Sequence, residues 1–398
     1  MKLHNILWSA LCLAIFFSTA VSPVRADEKD EKNAAEQKAK AEAGAAAKAE
    51  KEEELKAKIP YSFSDVADNL VIIECTTSMG KMVGSGFIAE MDGNIYIFTN
   101  QHVIMGAESI EFKTVTGKKL QPLSVELSRE RDLTRLPLAE WEEPLTIAKE
   151  IKDEGEEPVA VFGNSDGSGV ATKLYGELLS IGPELVEVSA DFISGNSGSA
   201  ILNKEKQVIG IASFVKYPDA DKMKEDTKFE GSVRRFGFRL DGVEWVTVNW
   251  RQYNEKYGKP YLAAVGMSEA VFEIITGWGN DPFAHAPTEN LPDSNMNSWA
   301  RKHNQMADRV QKIINTQKVS GTQLAKIRDE IKQSAQELAA IIHRLSVEMG
   351  KQANDPALTG FLRTEFEEYT KALEDNSAVV KAEGEALSKY IDSLKSVL

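Results

Sequence analysis

The sequence predicts a multidomain protein in which an all-β unit of barrel or sandwich type is followed by an α-helical region. Three observations point there. At 398 residues the chain exceeds what one hydrophobic core usually organises. From about Tyr61 to Asp241 short β-branched runs alternate with Gly, Asn and Asp turns, the signature of many short strands. Beyond Trp245 apolar residues recur at three- and four-residue spacing, the period of one helix face.

Met1 to Ala26 places Lys2 before an apolar run from Ile6 to Val21 and ends in Val24-Arg25-Ala26, which reads as a secretory signal peptide. That run is shorter than the roughly 20 residues a membrane span needs. The expected product is exported, periplasmic or secreted, with no transmembrane span, and begins near Asp27. Residues 27–60 are Ala, Lys and Glu with few large apolar side chains, a helical or disordered spacer without a core of its own. Pro60 ends it.

The β-rich unit is expected over 61–250. Leu70–Cys75, Phe87–Ala89, Ile95–Thr99, Ser109–Val115, Leu123–Leu127, Pro158–Phe162, Lys173–Ile181, Leu185–Ser189, Ser199–Leu202, Gln207–Phe214 and Arg235–Leu240 read as strands. Met91-Asp92-Gly93-Asn94 and Thr116-Gly117 are turn signals between them. The acidic, strand-poor stretch Trp141–Glu157 is placed as a join between two β units.

A mixed helical segment and linker is expected over 251–297, with Asn280 to Asn297 rich in Asn, Asp and Pro. Residues 298–398 form the last region. Leu324, Ile327, Ile331, Ser334, Leu338, Ile341 and Leu345 make one stripe, and Leu362, Phe366, Tyr369, Leu373, Asn376 and Val380 another. Gly350 to Pro356 interrupts them. The pattern predicts a coiled-coil-like antiparallel hairpin, separate from the β unit, serving self-association or partner docking.

Without residues 1–26 the 47 basic residues fall to 45 against 61 acidic ones, a net charge near −16. An acidic surface repels phosphate backbones, so nucleic acid is excluded as a partner. Cys12 leaves with the signal, so Cys75, in an apolar strand, has no disulfide partner and reads as a small core residue.

Acyl transfer by a serine needs a nucleophile, a base, a group to orient the base and donors for the oxyanion. Ser194-Gly195-Asn196-Ser197-Gly198-Ser199 sets Ser197 between glycines that permit a tight turn, and the Gly195 and Ser197 N–H groups are the candidate oxyanion donors. His102 follows the run Ile95–Phe98 and stands on a polar turn at a strand end. With an ordinary pKa of about 6.5 it can accept a proton at neutral pH. Asp132 in Arg131-Asp132-Leu133 is the candidate orienting carboxylate. The order His, Asp, Ser excludes an α/β-hydrolase, which runs Ser, Asp, His. No metal-binding motif occurs, and no cofactor is expected.

These residues resemble the trypsin-like serine proteases, specifically the disulfide-free bacterial Deg-type branch. The likeness covers about Val66 to Asp241 and rests on Gly84-Ser85-Gly86-Phe87, Thr99-Asn100-Gln101-His102-Val103, Arg131-Asp132-Leu133, Gly195-Asn196-Ser197-Gly198-Ser199 and Phe236-Gly237-Phe238. The resemblance implies an all-β double β-barrel protease domain, an active site in the cleft between barrels, and protein or peptide substrates. It also implies that Gly210-Ile211-Ala212-Ser213-Phe214 is the strand whose edge pairs with substrate, with Ser213 and Phe214 in the binding site. Asp191, six residues before Ser197, stands where trypsin itself has a pocket carboxylate, implying Lys or Arg at P1. Two residues depart from the pattern: Ser199 replaces a glycine, and Arg135 replaces a small or apolar residue. Nothing after Asp241 resembles a PDZ module. The function implied is an exported serine endopeptidase working through an acyl-enzyme. An inactive protease-like scaffold whose C-terminal helices bind other proteins is the alternative, and an esterase using the same serine is a third.

Overall fold

Alternation along the strands partitions the β-rich chain into its cores. In a computed structural model that describes residues 47 and 49–394, apart from 153–154, 156, 168–170, 218–232, 281–282, 289–290, 292 and 316–319, fifteen strands are joined in one hydrogen-bonded system. The expected signal peptide and residues 27–46 of the spacer lie outside the described residues.

The first barrel-like sheet is built from β1 (Leu70–Thr77), β2 (Gly80–Met91), β3 (Asn94–Thr99), β4 (Ala107–Thr114), β5 (Lys119–Leu120), β6 (Val125–Ser128) and β7 (Thr134–Pro137). They run in the order β5-β4-β1-β2-β3-β7-β6, and β15 (Trp245–Val248) pairs on the outside of β6. The β2–β3 hairpin turns on Asp92 and Gly93, both at positive φ, as a two-residue hairpin loop requires. The second barrel closes completely. β9 (Pro158–Gly163), β10 (Thr172–Ile181), β11 (Leu185–Val188), β14 (Arg234–Phe238), β13 (Gln207–Lys216) and β12 (Ala200–Leu202) form a ring, with β12 returning to β9.

Successive strand side chains point to opposite faces, and both faces are used here. Val159 and Val161 fill the second barrel. Ala160 and Phe162 between them join Phe87, Phe98, Leu133 and Ile211 in a core between the barrels. Ile88 and Ile97 point into the first barrel. The strand-poor stretch placed as a join does join the barrels, and it contains one short strand, β8 (Leu145–Ile147), which runs parallel to both β2 and β13. A three-residue strand is too short to announce itself by alternation.

The spacer also differs from expectation at its end. Residues 49–58 form a helix, α1, whose Leu55 is buried and whose Lys51 bridges Glu177 of β10 at 2.7 Å. This end of the spacer is docked rather than solvated.

The C-terminal region is helical. α3 (Trp250–Tyr253) passes through a π-turn (Asn254–Gly258) into α4 (Lys259–Asn280), followed by α5 (Ser294–Asn315), α6 (Gly321–Ala353) and α7 (Gly360–Leu394). Ser320 and Gln323 form a capping box at the start of α6, satisfying N–H groups that a helix start leaves open. α6 and α7 make the antiparallel hairpin that the stripes predict. Ser377 Oγ donates to Ala339 O at 2.9 Å, and Gly384 faces Ala335 so closely that a Cβ would stand 2.2 Å from the Ala335 Cβ.

The hairpin is not a separate module. Tyr253, Tyr257, Tyr261, Val271, Leu362, Phe366 and Leu373 share one buried cluster with Val71, Ile73, Ile88, Val103 and Ile104 of the first barrel. Even the expected linker contributes Ala286 and Leu291 to it. The stripes show that something must cover the helices, and the cover is the protein's own barrel. No described helix is long and apolar enough to cross a membrane.

Candidate active site

His102 lies on a short helix, α2 (Gln101–Ile104), not on an open turn. Its backbone N–H donates to Asp132 Oδ1 at 3.0 Å and its Nδ1 lies 2.5 Å from Asp132 Oδ2. The helix start thus brings main chain and imidazole of one residue onto both oxygens of one carboxylate. Asp132 is 4% exposed and accepts a third bond from Ser213 Oγ at 3.1 Å. Asn100, just before α2, donates from Nδ2 to Asp132 O at 2.7 Å and to Ser213 Oγ at 3.2 Å.

The His102 side chain keeps 30% of its surface open. Burial disfavours the imidazolium, yet the Asp132 charge and hydrogen bond, with Glu365 adding a weaker attraction, hold its pKa above the ordinary value. Glu365, on α7, is itself pushed up to about 7, chiefly by burial and by the Asp132 charge. Its neighbour Tyr261, on α4, is raised for the same reason, burial first and the Glu365 charge next.

Ser197 sits in a loop whose geometry depends on two glycines. Asn196 N bonds Ile193 O at 3.0 Å and Gly195 has φ +87°, a turn with its third residue in the left-handed region that glycine tolerates. Gly198 has φ +91°, and a Cβ there would stand 1.9 Å from Ser85 O. The loop is pinned from both sides: Ser85 N donates to Ser197 O at 2.9 Å, Ser85 Oγ to Gly195 O at 2.7 Å, and Gly198 N to Ala212 O at 2.9 Å. The Gly195 and Ser197 N–H groups have no acceptor among the described residues. Ser197 Oγ donates to Ser213 O at 3.4 Å rather than to His102.

The two departures from the family pattern have local causes. The Ser199 hydroxyl occupies space that a Cβ on residue 163 would take, at 1.8 Å, and Gly163 leaves it open. Arg135 on β7 bonds Glu126 at 2.7 Å and lies over the rings of Tyr96 and Trp245 at 4.4 and 4.7 Å.

Asp191 is not brought to a pocket as a free carboxylate. Arg235 of β14 pairs with its Oδ1 at 3.0 Å and also donates to Phe192 O. The charge expected to meet a basic P1 side chain already faces the protein's own guanidinium. Phe214 is 39% exposed and stacks on Phe236 at 5.1 Å. After Ala212, β13 pairs only with β14 among the described residues, so its other edge is open beside Ser197. Cys75 is buried, its Sγ against Val103 O, and burial pushes its thiol up to about 12.

Sequence reasoning gave no role to Ser85, Asn100 or Gln101, although all three lie in the quoted motifs. Glu365 and Tyr261 carry no local signal, since only the docking of the helices brings them near His102.

Residues 84–211 match the family model for a trypsin-like peptidase domain. The chain is 27% identical over 179 residues to a probable periplasmic serine endoprotease DegP-like of Buchnera aphidicola, covering 41% of this chain and 38% of that one. It is 28% identical over 200 residues to the serine protease Do-like HtrA of Lactococcus lactis, covering 45% and 47%. A DegP-like protein of Hahella chejuensis is 30% identical over 144 residues, covering 34% and 30%. The chain spans less than half the length of these curated relatives. Two linked β-barrels with a glycine-shaped serine loop between them thus contain a stretch, residues 84–211, that matches a trypsin-like peptidase domain, and over less than half its length the chain is similar to serine proteases of the DegP and HtrA kind.

Proposed function

We propose that the protein is an exported serine endopeptidase that cleaves protein or peptide substrates through an acyl-enzyme, with His102, Asp132 and Ser197 as its triad. The observation that carries this reading is the double engagement of Ser213, whose hydroxyl binds Asp132 at 3.1 Å while its carbonyl takes the Ser197 hydroxyl at 3.4 Å. One residue therefore holds the nucleophile beside the His–Asp pair.

In this mechanism the Ser197 hydroxyl turns from Ser213 O to His102 Nε2, gives up its proton there and attacks the scissile carbonyl. Charge developing on the carbonyl oxygen meets the Gly195 and Ser197 N–H groups. Asp132 keeps the proton on Nδ1 and stabilises the imidazolium, which then protonates the leaving amine. Water repeats the sequence on the acyl-enzyme. Substrate backbone adds to the open edge of β13 beyond Ala212, so main-chain bonds supply affinity. Export is supported by the signal-like N-terminus and by periplasmic proteins among the relatives.

The competing reading is an inactive scaffold, favoured by the Ser197 hydroxyl resting on Ser213 rather than on His102. A fluorophosphonate label decides between them. Wild type is expected to react at Ser197 above the His102 pKa, and Ser197→Ala to lose both label and peptide turnover without loss of fold. A variant that kept a tenth of the wild-type rate would exclude Ser197 as nucleophile.

A further inference from the structure

We infer that Thr359 and Gly360, in the turn between α6 and α7, are positioning residues that hold the Asp132 loop and His102 in working geometry. The inference rests on the serine-peptidase reading above.

Between β6 and β7 the chain runs through Arg129, Glu130, Arg131 and Asp132 with little regular backbone pairing of its own. Three carbonyls of this approach are tied from outside. Gln101 Nε2 donates to Ser128 O and to Arg131 O, both at 2.8 Å. Gly360 N donates to Arg129 O at 2.5 Å. Gln101 immediately precedes His102, so its amide links the base and the carboxylate loop independently of their direct hydrogen bond.

An amide side chain works as such a double donor only when its nitrogen, not its oxygen, faces the carbonyls. Thr359 selects that orientation: its hydroxyl donates to Gln101 Oε1 at 3.2 Å. The same oxygen lies 3.3 Å from Tyr253 OH, which donates to it, and 3.4 Å from Leu362 N. One donor and two acceptor sites are thus all engaged, which leaves the hydroxyl no other direction. Gln101 is 0% exposed and Thr359 5%. In this dry setting a reversed amide would face two carbonyls with its own oxygen, an arrangement that buried polar groups tolerate poorly.

Gly360 sets the distance. A Cβ at this position would meet the exposed Glu130 carboxylate at 2.1 Å, which can swing aside, and the Arg129 carbonyl at 3.2 Å, so a side chain here would press on the Gly360–Arg129 hydrogen bond. The helical half of the chain therefore completes the support of a site whose reacting groups all come from the β half.

The test compares Thr359→Val, which keeps the shape and removes the donor, with Thr359→Ser, which keeps the donor, both in the full chain. Second-order fluorophosphonate labelling is expected to slow by on the order of tenfold to a hundredfold in Thr359→Val, because small misplacements of catalytic groups carry penalties of that size. Peptide KM should stay within about twofold, and Thr359→Ser should restore the rate to within about threefold. The downfield proton resonance of the His102–Asp132 hydrogen bond should shift or broaden in Thr359→Val alone. Wild-type labelling and an unchanged resonance in Thr359→Val would overturn the inference, as would equal loss in both variants, which would mark a packing role. If folded wild type does not label, the peptidase reading fails separately, and the resonance still decides whether Thr359 positions His102 and Asp132.

Discussion

Asn254 is where the barrel and the helices can be pried apart most cleanly. It opens the π-turn between α3 and α4 and is 5% exposed. Its Oδ1 accepts from Gly106 N and its Nδ2 donates to Ala107 O, each at 2.7 Å. Gly258 makes room for it, since a Cβ there would stand 2.1 Å from Asn254 Oδ1. Asn254→Ala would strand one buried N–H and one buried carbonyl, and each such group costs about 1 to 3 kcal/mol. The expected loss is therefore about 2 to 6 kcal/mol, before any cavity contribution. Asn254→Asp should be no better, because it keeps the Gly106 bond but turns a carboxylate against the Ala107 carbonyl. Urea unfolding followed in parallel by far-ultraviolet circular dichroism and by fluorophosphonate labelling would measure it. With one shared core, helical signal and labelling should be lost together at a lowered midpoint. A loss under about 0.5 kcal/mol, or helices melting while the site still labels, would refute the shared-core reasoning.

Two further outcomes are expected. Glu365→Gln removes a negative neighbour that helps to raise His102, so the His102 pKa should fall. Since the neutral imidazole is the working form, the acid limb of the pH–rate profile should move to lower pH, and an unmoved or upward-shifted limb would show that Glu365 does not act on His102. At Asp191, the Arg235 ion pair should suppress any preference for Lys or Arg at P1 in a peptide library, whereas Arg235→Leu should raise cleavage after basic residues relative to wild type by removing that positive charge; a wild-type profile dominated by basic P1 residues would reverse this assignment.

What was legible in the sequence was local. The motifs around His102, Asp132 and Ser197 each sit within a few residues, and the glycines that shape the serine loop stand beside the serine. Strand alternation and the helix stripes follow from burial on one face, which periodicity records directly. Pairing between distant segments leaves no such trace. Nothing near Asp191 announces Arg235, 44 residues later and reached only because β14 pairs with β11, setting Arg235 opposite Val188 just before the Asp191 loop. The hairpin's stripes show that an apolar face needs a cover without saying whose, and the polar turn at 354–359 resembles any other loop until Thr359 is seen against Gln101. β8 was missed because three residues are too few to show a period.

The Gln101–Thr359 bond joins residues 258 apart, and the first barrel shares one buried core with the C-terminal helices. Contacts of such long span form late, since the entropy of closing the intervening loop must be met before they contribute. A chain emerging from its amino end thus displays its entire peptidase sequence well before it has the means to hold His102 and Asp132 in place. On the proposed triad, a fragment lacking α6 and α7 would have Ser197 but not the Thr359 and Gly360 contacts behind Gln101 and Arg129, and it should react poorly with a fluorophosphonate.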